Sequence, residues 1–73
     1  MENVTMKKFA TRLKELRLEE KLSQEELAAA TGLTQVAITY WENEKRIPNL
    51  KAVITLARYF NVSLDYLAGE KDY

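Results

Sequence analysis

The chain has 73 residues, of which 47% are hydrophobic and 30% are charged, and this balance predicts one small globular domain. It contains no cysteine and no histidine, which excludes disulfide bonds, zinc sites of the cysteine/histidine type and catalysis by a nucleophile–imidazole pair. Eleven basic and eleven acidic residues give a net charge of zero. Any binding of nucleic acid must therefore come from locally placed charges rather than from a basic surface.

The N-terminal stretch does not resemble a signal peptide. Lys7 and Lys8 are not followed by the apolar run that such a peptide needs. No apolar stretch anywhere approaches the roughly 20 residues of a membrane span. We therefore expect a soluble cytoplasmic protein that has no membrane contact, no cofactor and no metal.

The first predicted element is a helix that begins at Thr5 and ends near residues 20–21. Residues 1–4 show no pattern, and both termini are expected to fray. Three apolar residues are spaced along one face of this helix. They are Phe9, Leu13 and Leu16.

The next two predicted helices form the most informative stretch of the chain. Ser23 and Glu26 make a capping box before an apolar run, Gly32 supplies a positive φ at the end of that helix, and Thr34 caps a helix over 35–43. A helix, a glycine-containing turn and a second helix are typical of the DNA-binding helix-turn-helix motif. Six residues occupy the positions where this motif requires large apolar, small or glycine residues. They are Leu27, Ala28, Gly32, Leu33, Ile38 and Trp41.

Two further helices complete the predicted fold. Asn49 caps a fourth helix that runs to about Phe60, and Ser63 caps a short fifth helix that closes at Gly69. No segment alternates with period two, so the sequence predicts an all-α, compact bundle of five short helices. The inward residues are expected to be Leu50, Val53, Ile54, Leu56, Ala57 and Phe60 in the fourth helix, and Leu64 and Leu67 in the fifth.

The chain resembles the phage repressor and Cro-type family, also called the xenobiotic-response-element (Xre) family. The matching segments are Arg12–Leu13, Leu16–Arg17, SQEELA at 23–28, GLTQVAITYWEN at 32–43, Ile47–Pro48, LARYFNVSLDYL at 56–67 and Gly69. The resemblance implies a lambda-repressor-like DNA-binding domain spanning residues 1–73, with its core at about 9–69. It also implies a bacterial or phage origin and association with the nucleoid.

The resemblance assigns roles to individual side chains. Gln24 would contact a DNA phosphate and brace the next helix, and Asn43 would bind the backbone of the DNA. Arg17 and Glu42 would form a buried structural ion pair. The base-reading residues would be Gln35 and Val36, followed one turn later by Thr39 and Tyr40.

Physical chemistry supports several of these roles. The Gln35 amide can bridge N6 and N7 of adenine, and Val36 suits contact with a thymine methyl group. Thr34 stands at a helix N-terminus, where free N–H groups favour a phosphate. Lys45 and Arg46 can add local positive charge, although ordinary solvated loop charges are an equally open interpretation. Tyr40 has its own alternative, which is packing against the first helix or a dimer partner.

Two residues depart from the family pattern. Lys21 and Glu44 stand where the family often has glycine, so both are expected to adopt a positive φ. Glu44 also brings a negative charge close to the expected phosphate edge. Together with Glu25 and Glu26, it predicts weak non-specific DNA binding.

The predicted function is sequence-specific binding of double-stranded DNA by a transcriptional regulator, a repressor that binds as a homodimer. A two-fold symmetric dimer requires a pseudopalindromic operator with half-sites about 10 bp apart. The expected dimer surface is the fifth helix and the tail, including Leu64, Tyr66 and Tyr73. The alternative is an antitoxin or adaptor module whose main partner is another protein, which the zero net charge favours slightly.

An enzyme is not expected. The paired carboxylates at 19–20 and 25–26 are adjacent on helices and point in different directions, so they are typical of solvated faces. No catalytic residues are predicted.

Overall fold

The structure, a computed structural model, describes the backbone of residues 2–72 and the side chains of residues 6–72. It confirms the all-α fold, because this part of the chain contains five helices and no strand. The helices are α1 (Glu2–Glu19), α2 (Gln24–Thr31), α3 (Gln35–Glu42), α4 (Leu50–Phe60) and α5 (Leu64–Ala68). They form a body of 30 × 24 × 20 Å. None of them combines the length and the apolarity that crossing a membrane requires.

The helix starts follow the predicted capping residues. The side chains of Ser23, Thr34, Asn49 and Ser63 each accept a hydrogen bond from the backbone N–H three residues later. In α2 the Glu26 carboxylate also accepts from the backbone N–H of Ser23 at 2.8 Å, which completes the capping box. Each cap contributes about 1 kcal/mol, so local sequence alone defines four of the five helix starts. α1 differs, since it begins at Glu2 rather than at Thr5.

Each helix is followed by a residue in the left-handed region. The predicted positive φ of Lys21 (58°) and Glu44 (60°) is confirmed, and Asn61 (57°) adopts the same region. At all three positions the next residue donates its N–H to a carbonyl five residues back, as in a Schellman motif. These bonds satisfy carbonyls at the helix end, which offsets the strain of a side chain at positive φ.

The core lies where α1 packs against α3 and α5, α2 against α3, and α4 against α5. Its fully buried large side chains come from all five helices. They are Leu13, Leu27, Ile38, Leu56 and Leu67.

The predicted burial of Leu50 and Leu64 is wrong. Leu50 is 65% exposed and Leu64 is 38% exposed, while Ala52 is buried in their place. The buried face of α4 is centred between Val53 and Leu56. At about 100° per residue, Leu50 lies roughly 90° from that centre. Both leucines are also the first residues of their helices, where the side chain reaches beyond the packed layer.

Trp41 provides a test of this core. It is 5% exposed, its ring meets Phe9 edge to face at 6.2 Å, and no atom in residues 6–72 accepts a hydrogen bond from its indole Nε1. We expect Trp41→Ala to lower the free energy of unfolding by about 3–5 kcal/mol through the cavity it leaves. Trp41→Phe should cost only about 1–2 kcal/mol, because no hydrogen bond is lost. Urea unfolding followed by circular dichroism measures the free energy of unfolding of both variants. If Trp41→Phe lost as much of this free energy as Trp41→Ala, the indole Nε1 would have a hydrogen-bond partner after all.

Candidate nucleic-acid interface

The turn between α2 and α3 sets the direction of α3. Gly32 adopts φ 78° and ψ 7°, and its N–H donates to the carbonyl of Ala28 at 2.9 Å. A Cβ at Gly32 would meet no atom within 4 Å, so the backbone conformation rather than space requires glycine here. Ile38 and Trp41 then bury one side of α3 in the core. The opposite side of α3 is consequently turned outward.

The outward side of α3 carries the residues predicted to read DNA. Gln35 is exposed, Val36 is 60% exposed and Tyr40 is 39% exposed. Asn43 is exposed at the C-cap, while Thr39 is only half-buried. Positions 36, 39, 40 and 43 form a single stripe at helical spacing. An apolar Val36 and an aromatic Tyr40 on an open stripe suit contact with a partner better than contact with water.

An ion pair joins the ends of α1 and α3. Arg17 donates from Nε to one carboxylate oxygen of Glu42 at 2.7 Å and from Nη2 to the other at 3.0 Å. The side chain of Arg17 is 9% exposed and that of Glu42 is 3% exposed. The hydrogen bond to Glu42 raises the pKa of Arg17, although desolvation acts in the opposite direction. The Arg17 guanidinium therefore stays positively charged.

Gln24 extends this pair into a network. Its Nε2 donates to Glu42 at 3.0 Å, and its Oε1 accepts from the hydroxyl of Thr39. Arg17 also donates from Nη1 to the carbonyl of Leu22 at 2.8 Å, just before α2 begins. One continuous network thus fixes the end of α1, the start of α2 and two turns of α3 relative to one another.

The network changes what two predicted contacts can do. The Thr39 hydroxyl proton is committed to Gln24, so towards a base this hydroxyl can only accept a hydrogen bond or present its methyl group. Gln24 keeps one of its two side-chain N–H groups free, together with its backbone N–H at the start of α2. Those two donors can still bind a phosphate oxygen.

The other residues predicted to contact the DNA backbone lie at the two ends of α3. The Thr34 hydroxyl caps its N-terminus by accepting from Ala37 N at 3.1 Å. Lys45 and Arg46 are exposed in the loop that follows its C-terminus. The Arg46 guanidinium lies over the ring of Tyr40, with its central carbon 4.7 Å from the ring centroid. Tyr40 is therefore partly covered by a loop residue of its own chain.

Acidic side chains share this surface. Glu25 and Glu26 are exposed in the first turn of α2, and Glu44 is exposed between α3 and Lys45. No cluster of acidic, histidine or cysteine side chains that could hold a metal ion occurs in the described part of the chain. Glu44 thus places a negative charge between the end of α3 and the two cations of the following loop.

Arg12 has a structural role that the sequence pattern does not assign. Its guanidinium donates to the carbonyl of Tyr66 and, at 2.7 Å, to that of Lys71, and it pairs with Asp72 at 3.2 Å. The same group lies 4.3 Å from the centroid of the Tyr66 ring. These partners are 54–60 residues away along the chain, beyond the reach of any local pattern. Tyr66, predicted to lie on a dimer surface, is thereby partly covered from within.

Comparison with known proteins gives one family. The pattern of the Helix-turn-helix family matches residues 13–67. The chain is 36% identical over 64 residues to the uncharacterised HTH-type transcriptional regulator YobD of Bacillus subtilis, with 88% of this chain and 57% of that protein covered. It is 34% identical over 64 residues to the HTH-type transcriptional activator BcrR of Enterococcus faecalis, with 86% and 31% covered.

A phage repressor and a solved structure extend the comparison. The cryptic phage CTXphi transcriptional repressor RstR of Vibrio cholerae is 28% identical over 64 residues, with 88% of this chain and 58% of that protein covered. The chain thus spans between 31% and 58% of the length of these three relatives. The crystal structure of the restriction-modification controller protein C.AhdI from Aeromonas hydrophila superposes with a TM-score of 0.77 at 34% identity, covering 85% of this chain and 94% of that one.

The buried pair can be tested by comparing single and double replacements. Arg17→Met leaves Glu42 buried without its cation, so we expect it to lower the free energy of unfolding by about 3–5 kcal/mol. The double variant Arg17→Met/Glu42→Leu removes both charges and should recover about 2 kcal/mol or more of that loss. Urea unfolding of the four proteins of this cycle measures the coupling. A loss below about 1 kcal/mol for Arg17→Met would show that the pair is solvated.

Proposed function

The chain belongs to the Cro/C1-type helix-turn-helix family of DNA-binding transcriptional regulators, and we propose that it binds a specific operator as a homodimer, with α3 in the major groove. The observation that carries this proposal is the outward stripe of α3, whose other side is locked by the core and by the Glu42 network. A helix of eight residues is about 12 Å long and fits a groove about 12 Å wide.

The stripe divides into readers of different chemistry. Gln35 is exposed at the first position of α3, where its amide can bind N7 and N6 of adenine. Val36 offers an apolar surface to a thymine methyl group. Thr39 would accept a hydrogen bond from a base or contact it through its methyl group. Tyr40, one turn after Val36, completes the set. These contacts would discriminate bases without any large positive charge.

Binding to the phosphate backbone of the DNA would come from groups at the edges of this stripe. Gln24 and Thr34 stand at the N-termini of α2 and α3, where free N–H groups favour a phosphate. Asn43, Lys45 and Arg46 follow α3 on the other edge. Because Glu44 and the two glutamates of α2 oppose these cations, affinity for random DNA should be low.

The homodimer and the repressor role belong to the same proposal. One recognition helix makes too few base contacts for tight binding, so a second copy is needed. Leu64, 38% exposed at the start of α5, supports a dimer surface on that helix, while Tyr73 lies outside the described residues. The named relatives include both a repressor and an activator. We favour repression, in which operator occupancy excludes polymerase, in the cytoplasm of a bacterium and without catalysis.

Selection of bound duplexes from a random pool tests this function. The purified protein should enrich a roughly two-fold symmetric sequence with half-sites about 10 bp apart, and its affinity should fall steeply between low and physiological salt. Failure to enrich any sequence at either salt would sink the proposal. Salt-insensitive capture of a protein partner would instead support the antitoxin or adaptor alternative.

A pair of glutamine variants separates base reading from backbone binding. Gln35→Ala should relax preference at one position in each half-site and weaken the selected operator by about 1–3 kcal/mol. Gln24→Ala should weaken selected and random duplexes alike, because its role is towards phosphate. Gln24 also supports Glu42, so thermal melting must show that the variant is folded under the binding conditions. Equal loss on all sequences for Gln35→Ala would contradict its assignment as a reader.

A further inference from the structure

Arg46 stacks on the ring of Tyr40, and this contact bears on how α3 would read DNA. The guanidinium carbon lies 4.7 Å from the ring centroid, within the roughly 6 Å range of a cation–π contact. Tyr40 stands on the outward stripe of α3, one turn after Val36. Arg46 is exposed, and within residues 6–72 no carboxylate or carbonyl accepts a hydrogen bond from its guanidinium, so its N–H donors are available to a ligand.

The end of α3 explains how this pair forms. Glu44 adopts φ 60°, and the reversed chain lets Lys45 N donate to the carbonyl of Tyr40 at 2.8 Å. This bond returns the loop to the last turns of α3, so the residue after Lys45 can lie over the Tyr40 ring. The position of Arg46 therefore follows from the backbone motif and from the aromatic ring together.

We propose that Arg46 reads a guanine in the major groove and that Tyr40 is the positioning residue that holds it there. This inference rests on the proposed function of α3. A guanidinium stacked on a ring keeps its edge free, and its planar fork matches O6 and N7 of guanine. Stacking also restricts the rotamers of a long side chain before DNA binds, which lowers the entropic cost of the contact. Lys45 carries no such fork and suits a phosphate instead.

Position also favours a base over a phosphate. A phosphate clamp needs only a mobile positive charge at the edge of the interface, which Lys45 already provides in the same loop. Arg46 is instead held against Tyr40, a member of the reading stripe. In this proposal Arg46 would contribute to specificity in addition to the contact with the DNA backbone that the sequence predicts for it.

The test uses the operator recovered by selection and every single base-pair variant of one half-site. With wild-type protein, one G·C pair per half-site should be preferred, beyond the positions assigned to Gln35. Arg46→Lys keeps the charge but loses the fork, so this preference should fall by about 5- to 160-fold while the salt dependence stays the same. Arg58→Lys, a matched change at an exposed arginine near the end of α4, should alter neither quantity.

Two variants of Tyr40 test the positioning role. Tyr40→Phe keeps the ring face and should retain the guanine preference, whereas Tyr40→Leu removes the face and should lose most of it. Tyr40 is 39% exposed, and thermal melting by circular dichroism verifies that both variants are folded. A purely structural Tyr40 would not separate these two variants by their effect on one base pair.

Three outcomes overturn the inference. If Arg46→Lys leaves all base preferences unchanged and Arg46→Gln lowers the salt slope by about one, Arg46 is a backbone clamp and the proposed function survives. If Tyr40→Leu keeps the guanine preference of the wild type, Tyr40 does not position Arg46. If selection enriches no duplex at all, the proposed function and this inference fail together.

Discussion

The carboxylate of Glu42 is the point on which the binding surface depends. It is almost fully buried and accepts hydrogen bonds from Arg17 and Gln24, which belong to different helices. Such a group tolerates little displacement, since a buried charge that loses a donor is costly. The geometry of α1, α2 and α3 is therefore fixed by polar contacts, while apolar side chains supply the bulk of the stability. A small domain that presents one short helix to a partner needs this kind of rigidity, because a rotation of α3 would misplace every outward side chain at once.

Rigidity and low charge together suggest how specificity would be achieved. The chain has no net charge and carries acidic residues in the first turn of α2, so attraction of the proposed readers to any phosphate backbone would be limited. Under the proposed function, discrimination between sequences would rest on direct contacts with bases and on the second copy in a dimer. The intramolecular contacts also restrict two of the proposed readers, since Thr39 donates a hydrogen bond to Gln24 and the ring of Tyr40 lies against Arg46. A surface organised before binding loses less entropy when the partner arrives.

Local patterns in the sequence predicted most of the fold for physical reasons. Caps such as Ser23 and Asn49 act within three residues of themselves, so the sequence alone reveals them. The burial of Leu50 was mispredicted because the register of α4 is chosen by the helices it packs against. The structural role of Arg12 was not predicted because its partners lie at the other end of the chain. The Arg46–Tyr40 contact was not predicted because it depends on a backbone reversal and a rotamer. The candidate readers follow from helical spacing once the buried side of α3 is known, yet spacing does not reveal that the Thr39 proton is committed.

The placement of Trp41 gives this protein a built-in optical and magnetic reporter. It is the single tryptophan of the chain, it is buried on the side of α3 away from the outward stripe, and its indole N–H has no acceptor within the described residues. Its emission should be blue-shifted by the apolar surroundings and shielded from quenchers in solution, including nucleic acid on the far side of the helix. The unbonded indole proton should give one well-separated, slowly exchanging resonance. Changes in either signal would report movement of the helix itself rather than occupancy of its surface.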